Sequence, residues 1–287
     1  MGNLFCVDSA GRALAVVAPG QLATWWPEMS AHIPGATPEG IAPYAGTEAD
    51  LTVPVGLGSQ DMRRLINASL HRLHLDHDTL SVHAVALEHP DTREAVLLLG
   101  GHGSGKSLTA VALTLRGWHV LAGDVALLDA APLDDAPRVR GGTSAFVVRR
   151  APVRRWFPQL GVGTDGPEKI DLSGCAHSVG GNGAVMPRRV GAAAVVDVDG
   201  DPAVSHGCLQ RVDAHTAATV WLRASAHLLD RVLDESDTVL REVEDVAAAR
   251  HRTGLVRALA RTVPVSAIWG SPAGVADQVE RLATNRS

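Results

Sequence analysis

The chain has 287 residues, of which 46% are hydrophobic and 20% charged, and its formal net charge is -5. That length buries a large core in one or two domains. The acidic balance argues against a nucleic-acid surface as the main business, and no apolar run approaches the roughly 18 residues that span a membrane. The first residues lack a basic segment followed by an unbroken apolar stretch, and Cys6 stands where a myristoylation signal carries Ser or Thr. The three cysteines, Cys6, Cys175 and Cys208, are far apart in the chain. They are expected as reduced thiols, not as a zinc site or a disulfide frame, and the expected location is the cytoplasm.

Residues 1–57 are rich in Gly and Pro, with short apolar runs at 13–17 and 51–55 and a loop-like stretch at 34–46. This is the texture of short strands and turns, so a small β-rich lobe is expected there, and 58–287 is expected to form a second domain. Trp25 and Trp26 read as packing residues, not as a ligand platform. From residue 59 to about 75, Met62, Leu65, Ile66, Leu70 and Leu73 share one helical face. The end of this helix is rich in histidine. His71 and His74 lie one turn apart, but no acid or cysteine joins them at metal-binding spacing. Strands are expected over 80–87 and 95–99, with a polar turn over 88–93 between them.

The second of these strands runs into Gly100-Gly-His-Gly-Ser-Gly-Lys-Ser107, the spacing of a phosphate-binding P-loop. Gly100, Gly101, Gly103, Ser104 and Gly105 can turn backbone N–H groups inward as an anion nest, where side chains would obstruct the phosphates. Lys106 can reach the β- and γ-phosphates, the Ser107 hydroxyl can ligate Mg²⁺, and Leu108 opens the following helix, whose N-terminal end faces the same anions. Leu108, Val111, Ala112 and Leu115 form an apolar helical stripe, and Gly117 sits where a C-terminal cap belongs. Strand, loop and helix together point to a bound nucleoside triphosphate, ATP with Mg²⁺. No guanine-reading Asn-Lys-x-Asp motif occurs.

A further strand is expected at 119–122, with Asp124 just past its end. If that strand neighbours the first and runs parallel to it, Asp124 can hold Mg²⁺ or take a proton from an attacking hydroxyl. Asp197 and Asp199 end another apolar run, but the Gly200-Asp-Pro202 that follows reads as a hairpin turn, so Asp124 is preferred. Arg138, Arg140, Arg149, Arg150, Arg154 and Arg155 concentrate positive charge, either as a docking face for an acidic group or as a solvated surface. Residues 180–183 read as a flexible turn. Helices are expected over 215–233 and 239–259, then a strand over 263–269 and a closing helix over 274–282. The fold class expected is α/β (mixed α+β) around one core.

Val82-His83-Ala84, the loop Leu97 to Ser107, and Arg116-Gly-Trp-His-Val-Leu-Ala-Gly-Asp124 together resemble the catalytic domain of HPr serine kinase/phosphorylase and its shorter relatives. The resemblance is specific over about 83–129. It implies a P-loop domain with a central mixed sheet, related to ATP-dependent phosphoenolpyruvate carboxykinase, and a possible homo-oligomer. It also implies that His83 belongs to the active site and that Asp124 is the proton acceptor. Gly123 stands where the family carries a first Asp, and the family's later Glu-Ile-Arg-Gly segment is not recognisable, so phosphorylase activity is not carried over. The expected function is an ATP-dependent kinase acting on a hydroxyl of a peptide, small protein or small molecule, with Asp124, His83 and Lys106 catalytic and Ser107 and Asp124 at the metal. The alternatives are a nucleotide-binding regulatory or chaperone module without transfer, and a hydrolytic NTPase.

Overall fold

The computed structural model describes residues 2–130, 136–174, 186–199, 201, 206–229 and 243–284. The chain opens with an antiparallel hairpin, β1 (Asn3–Ser9) and β2 (Arg12–Ala18). Helix α1 (Gln21–Met29) follows, then the short strands β3 (Ile41–Pro43) and β4 (Leu51–Thr52), giving a four-stranded sheet in the order β3-β1-β2-β4. Alternation along the hairpin buries Phe5, Val7, Leu14 and Val16 on one face. Trp26 and Leu22 of α1 close that face, together with Met62, Leu65, Ile66 and Leu70 of α2 (Ser59–Leu75). Gly and Pro content pointed to strands and turns here, whereas α1 occupies part of the stretch. Trp26 is fully buried, with its indole N–H donated to the Thr37 carbonyl at 2.9 Å, which makes it a packing residue as expected.

A nine-stranded mixed sheet forms the rest of the framework. Its strands are β5 (Thr79–His83), β6 (Val85–Glu88), β7 (Ala95–Leu99), β8 (His119–Ala122), β9 (Val125–Asp129), β10 (Arg138–Gly142), β13 (Arg188–Val198), β14 (Gly207–Arg211) and β15 (Val265–Gly270). A separate ribbon pairs β11 (Val147–Arg149) with β12 (Lys169–Asp171), and α4 (Arg150–Trp156) follows the first of these. Strand β7 is central, parallel to β13 on one side and antiparallel to β6 on the other. Its five residues are all buried, because both faces are covered. Ala95, Leu97 and Leu99 face α5 (Ala214–Ser225) and α6 (Val246–Thr262), where Trp221, Val256 and Leu259 pack. Val96 and Leu98 face α3 (Lys106–Thr114) and α7 (Pro272–Thr284), meeting Val111, Leu113, Val275 and Val279. The result is three layers, helix on sheet on helix.

Several expectations change in detail. The strand expected over 80–87 is broken at Ala84: β5 pairs with β9, while β6 pairs with β7 and β8. The partner chain breaks at the matching place, since β8 ends at Ala122 and β9 begins at Val125. The two antiparallel chains therefore turn a corner together, with His83 and Asp124 at the bend. Strand β8 does run parallel to β7, but β6 lies between them. Leu115 of the expected apolar stripe is exposed at 48%, because α3 ends at Thr114. The helix expected over 215–233 is interrupted by a turn at Ala226 and resumes at 227–229, with 230–233 outside the described residues; of the helix expected over 239–259 the described part is α6, which begins at Val246 and runs on to Thr262. The glycine turn at 180–183 and Cys175 lie outside the described residues; Cys6 and Cys208 carry no disulfide. No described helix is long and apolar enough to cross a membrane.

The corner needs a glycine. A Cβ at Gly123 would strike the carbonyl oxygen of Ala145 and come within 3.0 Å of the Phe146 Cα, both backbone atoms that cannot rotate away. Gly123→Ala is therefore expected to destabilise the chain by about 1–3 kcal/mol, read as a lower urea midpoint at unchanged slope.

Two buried histidines make stability acid-sensitive. Burial pushes His71 down to about 4 and His74 down to about 3 from an ordinary 6.5, with the neighbouring Arg12 adding to the effect at His74. Both stay neutral in the fold and charge readily once it opens. Their contribution is complete above about pH 6.5 and is lost progressively as the pH falls toward 4 and then 3. Neither ring nitrogen of His71 has a hydrogen-bond partner among the described residues. His71→Leu is thus expected to be tolerated at pH 7.5 and to flatten the decline in urea midpoint between pH 6.5 and 4.

Candidate functional site

The loop between β7 and α3 has the conformation its glycines permit. Gly100, Gly103 and Gly105 have φ of 141°, 82° and 90°, a region that L side chains avoid. A Cβ at Gly100 would press the Ser104 hydroxyl and the Val196 carbonyl, and one at Gly105 would strike the Val198 side chain. The neighbouring β13 thus packs directly under the loop, and the Val198 N–H donates to the Ser104 carbonyl at 2.9 Å. Lys106 begins α3 and folds back so that Nζ donates to the Gly100 and Gly101 carbonyls at 2.9 and 3.0 Å. Burial lowers its pKa, and Asp124 opposes that shift. The buried Ser104 hydroxyl oxygen makes no hydrogen bond among the described residues.

A cleft of about 390 Å³ opens above this loop. Gly103, Ser104, Gly105, Lys106, Ser107 and Leu108 form its floor, while Gly100 and Gly101 lie behind it as the carbonyl partners of Lys106. The sheet corner supplies one wall, with His83, Gly123, Asp124 and Val125. His83 Nε2 lies 3.3 Å from Asp124 Oδ1, and the two side chains are 12% and 57% exposed. The backbone at Asp124 is held by Thr143, whose hydroxyl oxygen accepts from the N–H groups of Asp124 and Val125 at 2.9 and 3.1 Å. The Gly123 N–H donates to the Thr143 carbonyl at 2.9 Å. Asp197 and Asp199, the rival acids, are exposed and do not line the cleft.

The remaining walls come from distant segments. His32, Arg63, Arg64 and Asn67 reach in from the first lobe and α2, and burial lowers the pKa of His32, with Arg63 adding to it. Arg149 and Lys169, register partners in the β11–β12 ribbon, face them. Arg149 also lies 3.2 Å from the His102 ring nitrogen. The arginine concentration seen in sequence therefore divides. Arg150 donates to the Pro167 and Gly163 carbonyls, Arg155 lies over the Trp156 ring at 5.5 Å, and Arg140 pairs with Asp129 at 3.0 Å. Arg149 alone of the six lines the cleft.

His227, just past α5, stacks on His83 with ring centroids 3.8 Å apart and planes 13° from parallel. Nothing in the sequence singled it out, since it lies in an apolar helical run 144 positions from its partner. Thr143 was equally silent, because its part is played through backbone amides. The paired His71 and His74 stand apart from the cleft. They are buried in α2, with His74 at 2.7 Å from the Ser9 hydroxyl and 2.9 Å from Arg12.

The chain matches no protein-family model and no curated protein. Among solved structures it is similar to the Hpr(Ser) kinase/phosphatase from Coxiella burnetii, with 13% identity over 71% of this chain and 94% of that chain. The TM-score is 0.32, too low for the likeness to carry an argument about function. What the site can do is therefore argued from its own residues.

Proposed function

We propose that this protein is an ATP-dependent kinase that transfers the γ-phosphoryl group to a hydroxyl of a peptide or small protein. The observation that carries this reading is the position of Asp124. It faces the same cleft as Lys106 and Ser107, and its Oδ1 lies 3.3 Å from His83 Nε2. The loop suits a phosphate chain: its positive-φ glycines make a cradle that a Cβ would fill, and Lys106 rests on carbonyls of its own loop. The resemblance to HPr serine kinases over residues 83–129 supports the same choice.

Mg·ATP, when bound, supplies the transferable phosphoryl group. In this reading the loop amides and Lys106 Nζ bind the phosphates, and Ser107 Oγ and Asp124 hold the metal. Asp124 also receives the acceptor hydroxyl's proton on a carboxylate oxygen, while His83 orients that carboxylate. Arg63, Arg64, Arg149 and Lys169 hold the charged groups of nucleotide or acceptor across the cleft. Catalysis is then mostly positioning and electrostatics.

A second reading is a nucleotide-binding module without transfer. One observation favours it: Asp124 is the sole carboxylate lining the cleft among the described residues. Incubation with γ-labelled ATP, Mg²⁺ and a panel of hydroxyl-bearing peptides and proteins separates the two. Label is expected on an acceptor, reduced about 10²–10³-fold in Lys106→Ala and about 10²–10⁴-fold in Asp124→Asn. Nucleotide binding with no labelled acceptor and no free phosphate would establish the module instead, and free phosphate alone would establish a hydrolase.

A further inference from the structure

His83, Asp124 and His227 come from three separate places in the chain: the end of β5, the corner between β8 and β9, and the segment after α5. One ligand atom from each lies within 4.8 Å of the other two. We infer that these three side chains form a binding site for one divalent transition-metal ion of the zinc or cobalt class. The inference goes beyond the phosphotransfer reading and needs no nucleotide.

The distances fit such an ion. Zinc bonds to imidazole nitrogen and carboxylate oxygen are about 2.0–2.2 Å, so neighbouring ligand atoms on a tetrahedral ion lie about 3.3 Å apart. His83 Nε2 and Asp124 Oδ1 already stand at 3.3 Å. The third atom is within 4.8 Å of both, and a change of the His227 side-chain torsions that opens the ring stack brings it in. In the metal-free site the His83 and His227 rings are stacked at 3.8 Å with planes 13° from parallel, so shared ligation requires one imidazole to turn out of the stack until its lone pair meets the same ion.

The ligand types choose the ion. Magnesium and calcium prefer oxygen donors in six or more positions, whereas two imidazoles and one carboxylate suit zinc, cobalt, nickel or iron(II). The site also opens into the cleft, since Asp124 is more than half exposed and His83 and His227 line the wall. Three protein ligands leave at least one position for water or an oxygen of a bound molecule, the pattern of an open rather than a closed structural site. Bound metal would tie the segment after α5 to the sheet corner, two places joined here by ring stacking.

The test uses the full chain, stripped with chelator and without nucleotide, titrated with Co²⁺ as a spectroscopic probe and then with Zn²⁺ by calorimetry. One equivalent is expected, with visible ligand-field bands that Zn²⁺ abolishes. His227→Phe keeps an aromatic ring for the stack but no donor. It is expected to melt at the same temperature as the metal-free parent and to lose more than about 100-fold in affinity, since loss of an outer partner alone costs about 10–100-fold. Lys106→Ala is expected to bind metal normally. Absence of binding, or binding unchanged in His227→Phe, overturns the site. Binding of fluorescent Mg·ATP analogue, followed on the same samples, reports separately on the loop, so failure of one reading does not imply failure of the other.

Discussion

The close approach of Ala145 to Gly123 is the contact on which the cleft depends. A backbone carbonyl lies where any larger residue would place its Cβ, so the chain can pass from β8 into β9 only with glycine at that point. The companion chain turns from β5 into β6 at Ala84, opposite the same bend. The side chains just beside the break line the cleft. His83 and Asp124 occupy those two positions. A side chain at residue 123 has no room here, and the backbone that fills the space also provides Thr143, which fixes the amides of residues 123–125.

A second constraint comes from the central strand. Strand β7 is apolar throughout and buried on both faces, which fixes the loop after it between two rigid layers. Strand β13 lies directly against that loop, through the Val198–Ser104 hydrogen bond and the contact of Val198 with Gly105. The loop is thus braced from below and shaped by its own glycines. Lys106 holds its charge near two carbonyls of that loop, which keeps the ammonium partly buried but hydrogen-bonded.

The N-terminal four-stranded sheet and its flanking segments contribute more than bulk. The Ala145 N–H donates to the Ala31 carbonyl and the Gly35 N–H to the Gly142 carbonyl, each at 2.9 Å. These bonds hold residues 31–35 on the same segment that crowds Gly123. His32 and the α2 residues Arg63, Arg64 and Asn67 then form the wall opposite the ribbon that carries Arg149 and Lys169. Charge that looked like one basic cluster in the sequence is used in three ways: across the cleft, in carbonyl contacts that hold loops, and in ion pairs on the sheet.

Local order determined a good part of this protein. Period-two and apolar runs placed the strands around the loop, the heptad-like stripe placed α2, and the glycines of Gly100 to Ser107 marked the loop between β7 and α3, because each of those signals is a property of a few consecutive residues. Tertiary structure alone decided the rest. Strand β6 between β7 and β8, the break at Ala84 and the helix α1 depend on which faces find cover, a matter of distant partners. The stacking of His227 on His83, and the gathering of Arg63, Arg149 and Lys169 on the cleft that Asp124 lines, join residues far apart in the chain. No spacing rule reaches that far, since such contacts are set by the packing of layers and not by the periodicity of any single element.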